Sequence, residues 1–295
     1  MKKIVYITTL ALSSLTILVG LFAIASPASA QSPAPAVGPG GGQALEIGPP
    51  VVTMSANPGE TVKAQINLRD IASTKLVVTN EINDFVADGE DGTPRILLKP
   101  EETTPYSIKS WITPLPRFTL VPKQVQTLDI VIKVPANAAP GGYFGVIRFT
   151  GTPPDLEGTG VALSASLGAL VLMRVNGDAK EELSVEQIAV TKNGKTGTFF
   201  ESTPTSIIER FRNTGNIHQQ PVGQIDIKDM FGNLIGKTII NNPNPRNVLP
   251  GSIRKFEQPL DKKVIGDKWL FGRYTVTMSA IYGSKNQTLT SSTTF

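Results

Sequence analysis

Short apolar runs separated by turn residues fill the chain from Leu45 onward, and they predict β-strands. Residues 62–68 show the pattern most clearly, because Val62, Ala64, Ile66 and Leu68 alternate with polar residues. A period of two places alternate side chains on opposite faces of a strand. We therefore expect a strand here with one buried and one exposed face.

The same reasoning predicts two consecutive sets of strands. The first continues at 75–82, 107–112, 126–134, 143–149 and 161–175, and the second lies at 183–191, 198–200, 206–211, 224–228, 234–240, 253–256, 274–282 and 288–295. Helical periodicity is convincing almost nowhere. The pattern predicts an all-β fold of two tandem immunoglobulin-like β-sandwich domains, 44–176 and 177–295, with the boundary at Gly177-Asp178.

The N-terminus predicts export. Lys2 and Lys3 precede a long apolar run, and Ala28-Ser29-Ala30 has the small-x-small pattern of a signal peptidase site. Residues 1–30 are therefore a signal peptide cleaved between Ala30 and Gln31, or an uncleaved N-terminal anchor, which would be the only contact with a membrane. Residues 31–43, rich in Pro, Gly and Ala, predict a flexible linker. The expected location is extracellular or on the cell envelope.

The amino-acid composition limits the functions that the chain could carry out. The formal net charge is +4, half of it from Lys2 and Lys3, which is no footprint of nucleic-acid binding. Cysteine is absent, which excludes disulfides and thiol catalysis, and the single histidine, His218, lies in a turn where a structural role is favoured. No phosphate-binding or dinucleotide motif occurs. We therefore expect a protein that binds rather than catalyses and that needs no cofactor.

One acidic segment, NDFVADGEDGTP, has two interpretations. Its carboxylates are Asp84, Asp88, Glu90 and Asp91. Alternating carboxylates and glycines can wrap a calcium ion, but the spacing differs from that of an EF-hand. The favoured interpretation is a solvated hairpin with Gly89 and Gly92 at positive φ. A glycoside-type hydrolase that uses two of these carboxylates as acid and base is a further hypothesis.

Aromatic residues are the other candidates for binding. Tyr106 and Trp111 in the first domain, and Trp269 and Tyr274 in the second, could present rings to a sugar or a peptide. The competing interpretation is structural, with Trp111 packed into the sandwich core and Trp269 capping one end of the second domain.

A family resemblance follows from longer segments. IGPPVVTMSANPGETVKAQINL, DFVADGEDGTP and the run from SWITPLPRF to GGYFGVIRF resemble the peptidoglycan-binding domain of the WxL-interacting surface proteins of Gram-positive bacteria. The resemblance implies attachment to cell-wall glycan through the first domain and surface-protein partners through the second. Members of that family generally finish with a transmembrane helix and a basic tail, which this chain lacks. The resemblance is thus compatible with an N-terminal anchor or with free secretion.

The segment SWITPLPRFTLVPKQVQTLDIVI also resembles the first domain of periplasmic pilus chaperones. That resemblance implies a different mechanism, in which an exposed strand edge pairs with a partner's backbone. Strand-edge addition in an assembly protein is therefore the alternative function.

Overall fold

The fold is built of β-strands, as the alternation predicts, and the computed structural model describes it for residues 45–71, 74–153, 165–266 and 270–295. The strands before residue 176 are β1 Leu45–Gly48, β2 Val51–Ala56, β3 Thr61–Asp70, β4 Leu76–Asp88, β5 Thr93–Leu97, β6 Phe118–Leu120, β7 Val125–Lys133, β8 Gly141–Thr152 and β9 Ala165–Val175. Those after it are β10 Leu183–Lys192, β11 Lys195–Gly197, β12 Ser206–Asn213, β13 Val222–Lys228, β14 Leu234–Ile240, β15 Ile253–Pro259, β16 Thr275–Tyr282 and β17 Gln287–Thr294, with the one-turn helix α1 Lys262–Ile265 between β15 and β16.

In the first sandwich, a three-stranded sheet, β1-β3-β7, faces a larger sheet, β2-β9-β8-β4-β5, in which β6 pairs with β4. The alternation predicted at 62–68 is confirmed, because Ile66 and Leu68 are fully buried while Gln65 and Asn67 are exposed. The inner faces of both sheets form one apolar core around Phe149. The chain changes sheets early, since β1 pairs with β3 and β2 pairs in parallel with β9.

The second sandwich has two four-stranded sheets, β11-β10-β12-β15 and β14-β13-β16-β17. Its separate core is centred on Phe211 and Phe256, whose rings meet edge to face at 5.7 Å. The predicted all-β immunoglobulin-like sandwich fold is confirmed. The described residues of both sandwiches belong to one compact unit.

Two predicted strands are absent from the described structure. Residues 107–112 form only isolated bridges, at Ser107 and Ile112, because the N–H of Trp111 bonds back to the carbonyl of Ile108 and closes a turn. That turn buries Ile108 completely. Residues 198–200 leave the sheet after β11, and Phe199 is 83% exposed.

Several predictions fall outside the described residues. These are the N-terminal segment with its cleavage site at Ala30 and Gln31, the linker 31–43, the first four residues of 161–175, and Trp269. Within the described ranges, no helix is both long and apolar enough to cross a bilayer.

Candidate functional site

The β4–β5 hairpin joins the first sandwich to the second. Arg210 Nε on β12 donates a hydrogen bond to Glu90 Oε2 at 2.6 Å, and the backbone N–H of Lys255 on β15 donates to the carbonyl of Glu90 at 2.7 Å. Lys255 Nζ lies 3.6 Å from Asp91 Oδ1. The acidic turn therefore contacts basic side chains of the second sandwich, although Asp88 and Asp91 remain exposed.

Arg254 on β15 lies against the glycine that closes this hairpin. Its Nη1 donates to the carbonyl of Asn247 at 2.6 Å, and its Nη2 donates to the carbonyl of Asp91 at 3.2 Å. A Cβ on Gly92 would overlap the guanidinium of Arg254, and the backbone of Gly92 has a φ of +74°. The positive φ favours glycine at this position, and a larger side chain would also have to displace the guanidinium of Arg254.

A cavity of about 360 Å³ opens beside this contact. Its wall on the first sandwich carries apolar side chains of β2, β4 and β9, among them Val51, Phe85, Leu170 and Leu172. Its wall on the second sandwich comes from residues 245–254, which include Arg246 and Arg254. Its volume is in the range of about 300–1,000 Å³ that is usual for small-molecule sites.

The two arginines of the cavity share one aromatic ring. The guanidinium carbons of Arg246 and Arg254 lie 5.1 and 5.8 Å from the ring centroid of Phe256. Burial, and to a smaller extent the positive charge of Arg246, lower the pKa of Arg254. Two like charges are thus held beside the same cavity.

An apolar cluster lies beside this cavity at the junction. Phe85 and Phe144 of the first sandwich belong to it, and Leu249 of the second packs against it. The imidazole of His218 meets Phe144 edge to face at 5.6 Å. Burial, with a further contribution from Arg174, lowers the pKa of His218 to about 4, so the ring is neutral at pH 7.

The outer edge of β9 is only partly covered. β2 pairs with β9 from Leu170 to Val175, and the last rung is the N–H of Leu170 donating to the carbonyl of Pro50. Because N–H groups alternate in direction along a strand, those of Ser166 and Gly168 point the same way as that of Leu170. No strand within the described ranges pairs with them on that side.

The structure separates the four predicted carboxylates. Asp84 is buried and accepts hydrogen bonds from Thr103 Oγ1, the N–H of Thr104 and Ser107 Oγ, at 2.7–2.9 Å. Asp88 is exposed, and the other two contact the second sandwich as described above. Among the described residues, no three acidic or histidine side chains are grouped so that they could hold a metal ion. The two predicted positive-φ glycines do adopt that conformation. Asp88, Gly89 and Asp91 are exposed to solvent, while Glu90 also contacts the second sandwich.

The predicted aromatic residues that the structure describes are occupied in packing. Tyr106 lies 6.0 Å from Phe144, and Trp111 lies 4.3 Å from Tyr143, measured between ring centroids. Tyr274 is 7% exposed and stacks on another ring at 5.4 Å. The two tyrosines and Trp111 therefore do not form one shared platform. Sequence reasoning did not select Arg246 or Arg254, because the basic residues of the chain are scattered.

The fold and this junction define an all-β protein with two immunoglobulin-like sandwiches in contact. No protein-family model matches the sequence, and no curated protein matches it. Among solved structures, the chain is similar to the Class 5 fimbriae chaperone CfaA (12% identity, 84% of this chain and 98% of that chain, TM-score 0.42) and the E. coli chaperone DraB (13%, 86% and 96%, TM-score 0.37). It is also similar to a chain of the CsuC-CsuE chaperone–tip adhesion subunit pre-assembly complex of Acinetobacter baumannii (12%, 84% and 97%, TM-score 0.37). At such identities and TM-scores, the likeness extends neither to function nor to partners.

Proposed function

We propose that this chain is an exported, non-enzymatic binding protein that takes up an extended segment of a partner surface protein as an added strand at β9. The observation that carries this proposal is the unpaired edge of β9 beside Ser166 and Gly168. Strand addition needs free backbone donors and acceptors in the plane of a sheet, and little else.

The uncovered edge follows from the path of the chain. β1 is paired with β3 in the opposite sheet, and the chain reaches the edge of β9 only at Pro50. The segment of β9 before Leu170 therefore has no hydrogen-bonded strand on this side within the described ranges, although β1 passes close to β9. A partner strand could lie in line with β2 and continue the sheet.

The side chains at this edge leave it accessible. Ser166 is small and exposed, and Gly168 has no side chain to shield the backbone. Proteins usually protect free edges with lysine, proline or a bulge, and the sequence Ser166-Leu167-Gly168-Ala169 contains neither lysine nor proline. This edge is therefore suited to pairing.

A non-enzymatic role is supported by the state of the candidate catalytic groups. His218, the single histidine, is held neutral against an aromatic ring, and Asp84 is committed to three hydrogen bonds inside the first sandwich. The hydroxyl groups that Asp84 accepts from belong to Thr103 and Ser107, and together with the N–H of Thr104 they hold this buried carboxylate in a structural role. The export signal at the N-terminus supports a surface or envelope location.

The test compares two substitutions at one position. Ser166→Pro removes the outward N–H, whereas Ser166→Ala keeps it and loses only the hydroxyl contact with Thr150. Each mature protein is immobilised and exposed to a cell-surface protein extract and, separately, to purified cell wall. Hydrogen exchange is then measured on the captured protein complex.

We expect the wild type and Ser166→Ala to capture the same protein, with slowed exchange at residues 166–169, and Ser166→Pro to lose it. Capture that is equal in all three proteins, with no new protection at β9, contradicts strand addition. Retention on purified cell wall that survives Ser166→Pro favours the peptidoglycan-binding function that the resemblance to WxL-interacting proteins implies.

A further inference from the structure

The cavity between the sandwiches carries positive charge without a matching negative charge. Two arginines line it, and no aspartate or glutamate does. Among the described residues, neither Arg246 nor Arg254 forms an ion pair. The nearby carboxylate of Asp91 is instead paired with Lys255. Asp91 still acts on Arg254 through its charge, but an anion in the cavity would be the first to form an ion pair with either guanidinium group.

Arg254 is held in place by the protein itself and still has an unused hydrogen-bond donor. Two of its nitrogens donate to backbone carbonyls, while its buried Nε has no partner in the described structure. A guanidinium carries five N–H donors and suits carboxylate and phosphate oxygens. Arg246 is exposed and lies over the same ring as Arg254, so it can approach a ligand at the cavity mouth.

The opposite wall is apolar. Leu172 is 2% exposed, Leu170 is half-buried, and Val51, at 40% exposed, lies at the rim. A free inorganic anion would leave these side chains without contact. A ligand with an apolar part would bury them, which stabilises a complex by about 25 cal/mol per Å² of apolar surface.

We propose that this cavity binds a small amphipathic acid, whose carboxylate or phosphate group is held by Arg246 and Arg254 while its apolar part lies against β2 and β9. This site is separate from the free edge of β9 and does not depend on strand addition. Ser166→Pro should therefore leave acid binding unchanged.

The test uses calorimetric titration of the full chain with four probes: octanoate, octyl phosphate, octanol and inorganic phosphate. We expect at least one acid to bind about tenfold or more tightly than octanol, because hydrogen bonds to a charged group contribute about 1.5–3 kcal/mol. Binding of octanoate alone identifies a carboxylate ligand, and binding of octyl phosphate alone identifies a phosphate ligand. Octanol binding as tightly as both acids, no acid binding, or inorganic phosphate binding as tightly as octyl phosphate overturns the proposal.

Substitutions locate the site. Arg246→Gln removes one charge without breaking an ion pair, and it should weaken acid binding about tenfold. Val51→Trp should also weaken it, because the larger ring fills the rim of the cavity. Arg117→Gln, at an exposed arginine on the first sandwich, is the matched control and should bind as the wild type does. If Arg246→Gln and Val51→Trp both bind acid like the control, the ligand lies elsewhere and the assignment is wrong.

Discussion

Glu209 is a carboxyl group in an apolar core. It lies on the inner face of β12 between Ile207 and Phe211, and all three residues are fully buried. Burial raises the pKa of Glu209 to about 8, with a smaller contribution from the negative charge of Glu257 on β15. At neutral pH this side chain is therefore mostly protonated.

This pKa predicts a loss of stability as the pH rises toward 8. The unfolded chain releases the proton of Glu209 near pH 4.5, whereas the folded chain keeps it until about pH 8, so the free energy of unfolding falls as pH rises between these values. Between pH 6.5 and 8, Glu209 should cost about 2 kcal/mol of the wild type's stability, at about 1.4 kcal/mol per pH unit.

Urea unfolding of the wild type and of Glu209→Gln across this range checks the prediction. Glu209→Gln should remove this decline, so its stability relative to the wild type should rise from pH 6.5 to 8. Glu201→Gln, at an exposed glutamate, is the control and should follow the wild type. Parallel curves for the wild type and Glu209→Gln would show that the carboxyl is ionised in the folded protein.

At the scale of elements, the β4–β5 hairpin is a local turn that also contacts the second sandwich. Its two glycines both adopt positive φ, +59° at Gly89 and +74° at Gly92. A Cβ at Gly89 would meet no atom within 4 Å, whereas one at Gly92 would overlap Arg254. The two positions therefore share the backbone requirement and differ in the contact with the second sandwich.

Alanine substitutions at these two glycines separate the backbone requirement from the contact with Arg254. Gly89→Ala should destabilise the protein by about 1 kcal/mol through backbone strain alone. Gly92→Ala should cost about 1–3 kcal/mol more, because overpacking at the guanidinium adds to the strain. Thermal or urea unfolding measures both. Equal losses for the two variants would mean that Arg254 moves aside freely and that the hairpin contact contributes little.

At the scale of the whole molecule, His218 lies where the two sandwiches meet. It belongs to the second sandwich and contacts Phe144 of the first. Protonation would place a positive charge in this contact, close to Arg174. The contact between the sandwiches is therefore expected to weaken in acid.

His218 has a pKa of 6.5 in the unfolded chain and of about 4 in the folded one. As pH falls from 6.5 to 4, the unfolded chain gains a proton that the folded chain does not, so stability is lost. The wild type should lose about 3 kcal/mol relative to His218→Gln over this range.

Proton NMR measures the pKa of the folded His218 imidazole directly, because His218 is the single histidine of the chain. Its ring resonances should titrate near pH 4 in the folded protein. A midpoint near 6.5, with no change in the stability difference between the wild type and His218→Gln, would contradict the burial of the imidazole.

The type of element and most strand positions could be predicted from the pattern of apolar and polar residues. Alternation with a period of two depends only on how a strand directs its side chains, so residues 62–68 could be assigned to a strand with a buried face. The glycines of the hairpin could likewise be predicted, because positive φ is a local backbone property. The turn at 107–111 could not be predicted, because it depends on the packing of Ile108 in a core that distant strands form.

The positions of the candidate sites could not be predicted in this way, because they depend on how the sheets pack. Val51 and Leu170 are far in sequence from Arg246 and Arg254, and they share a cavity because two sandwiches pack across the β4–β5 hairpin. The free edge of β9 exists because the chain changes sheets before Pro50. Side-chain direction is a local property of the backbone, whereas the meeting of sheets and the pairing of edges depend on packing between residues that are distant in the sequence.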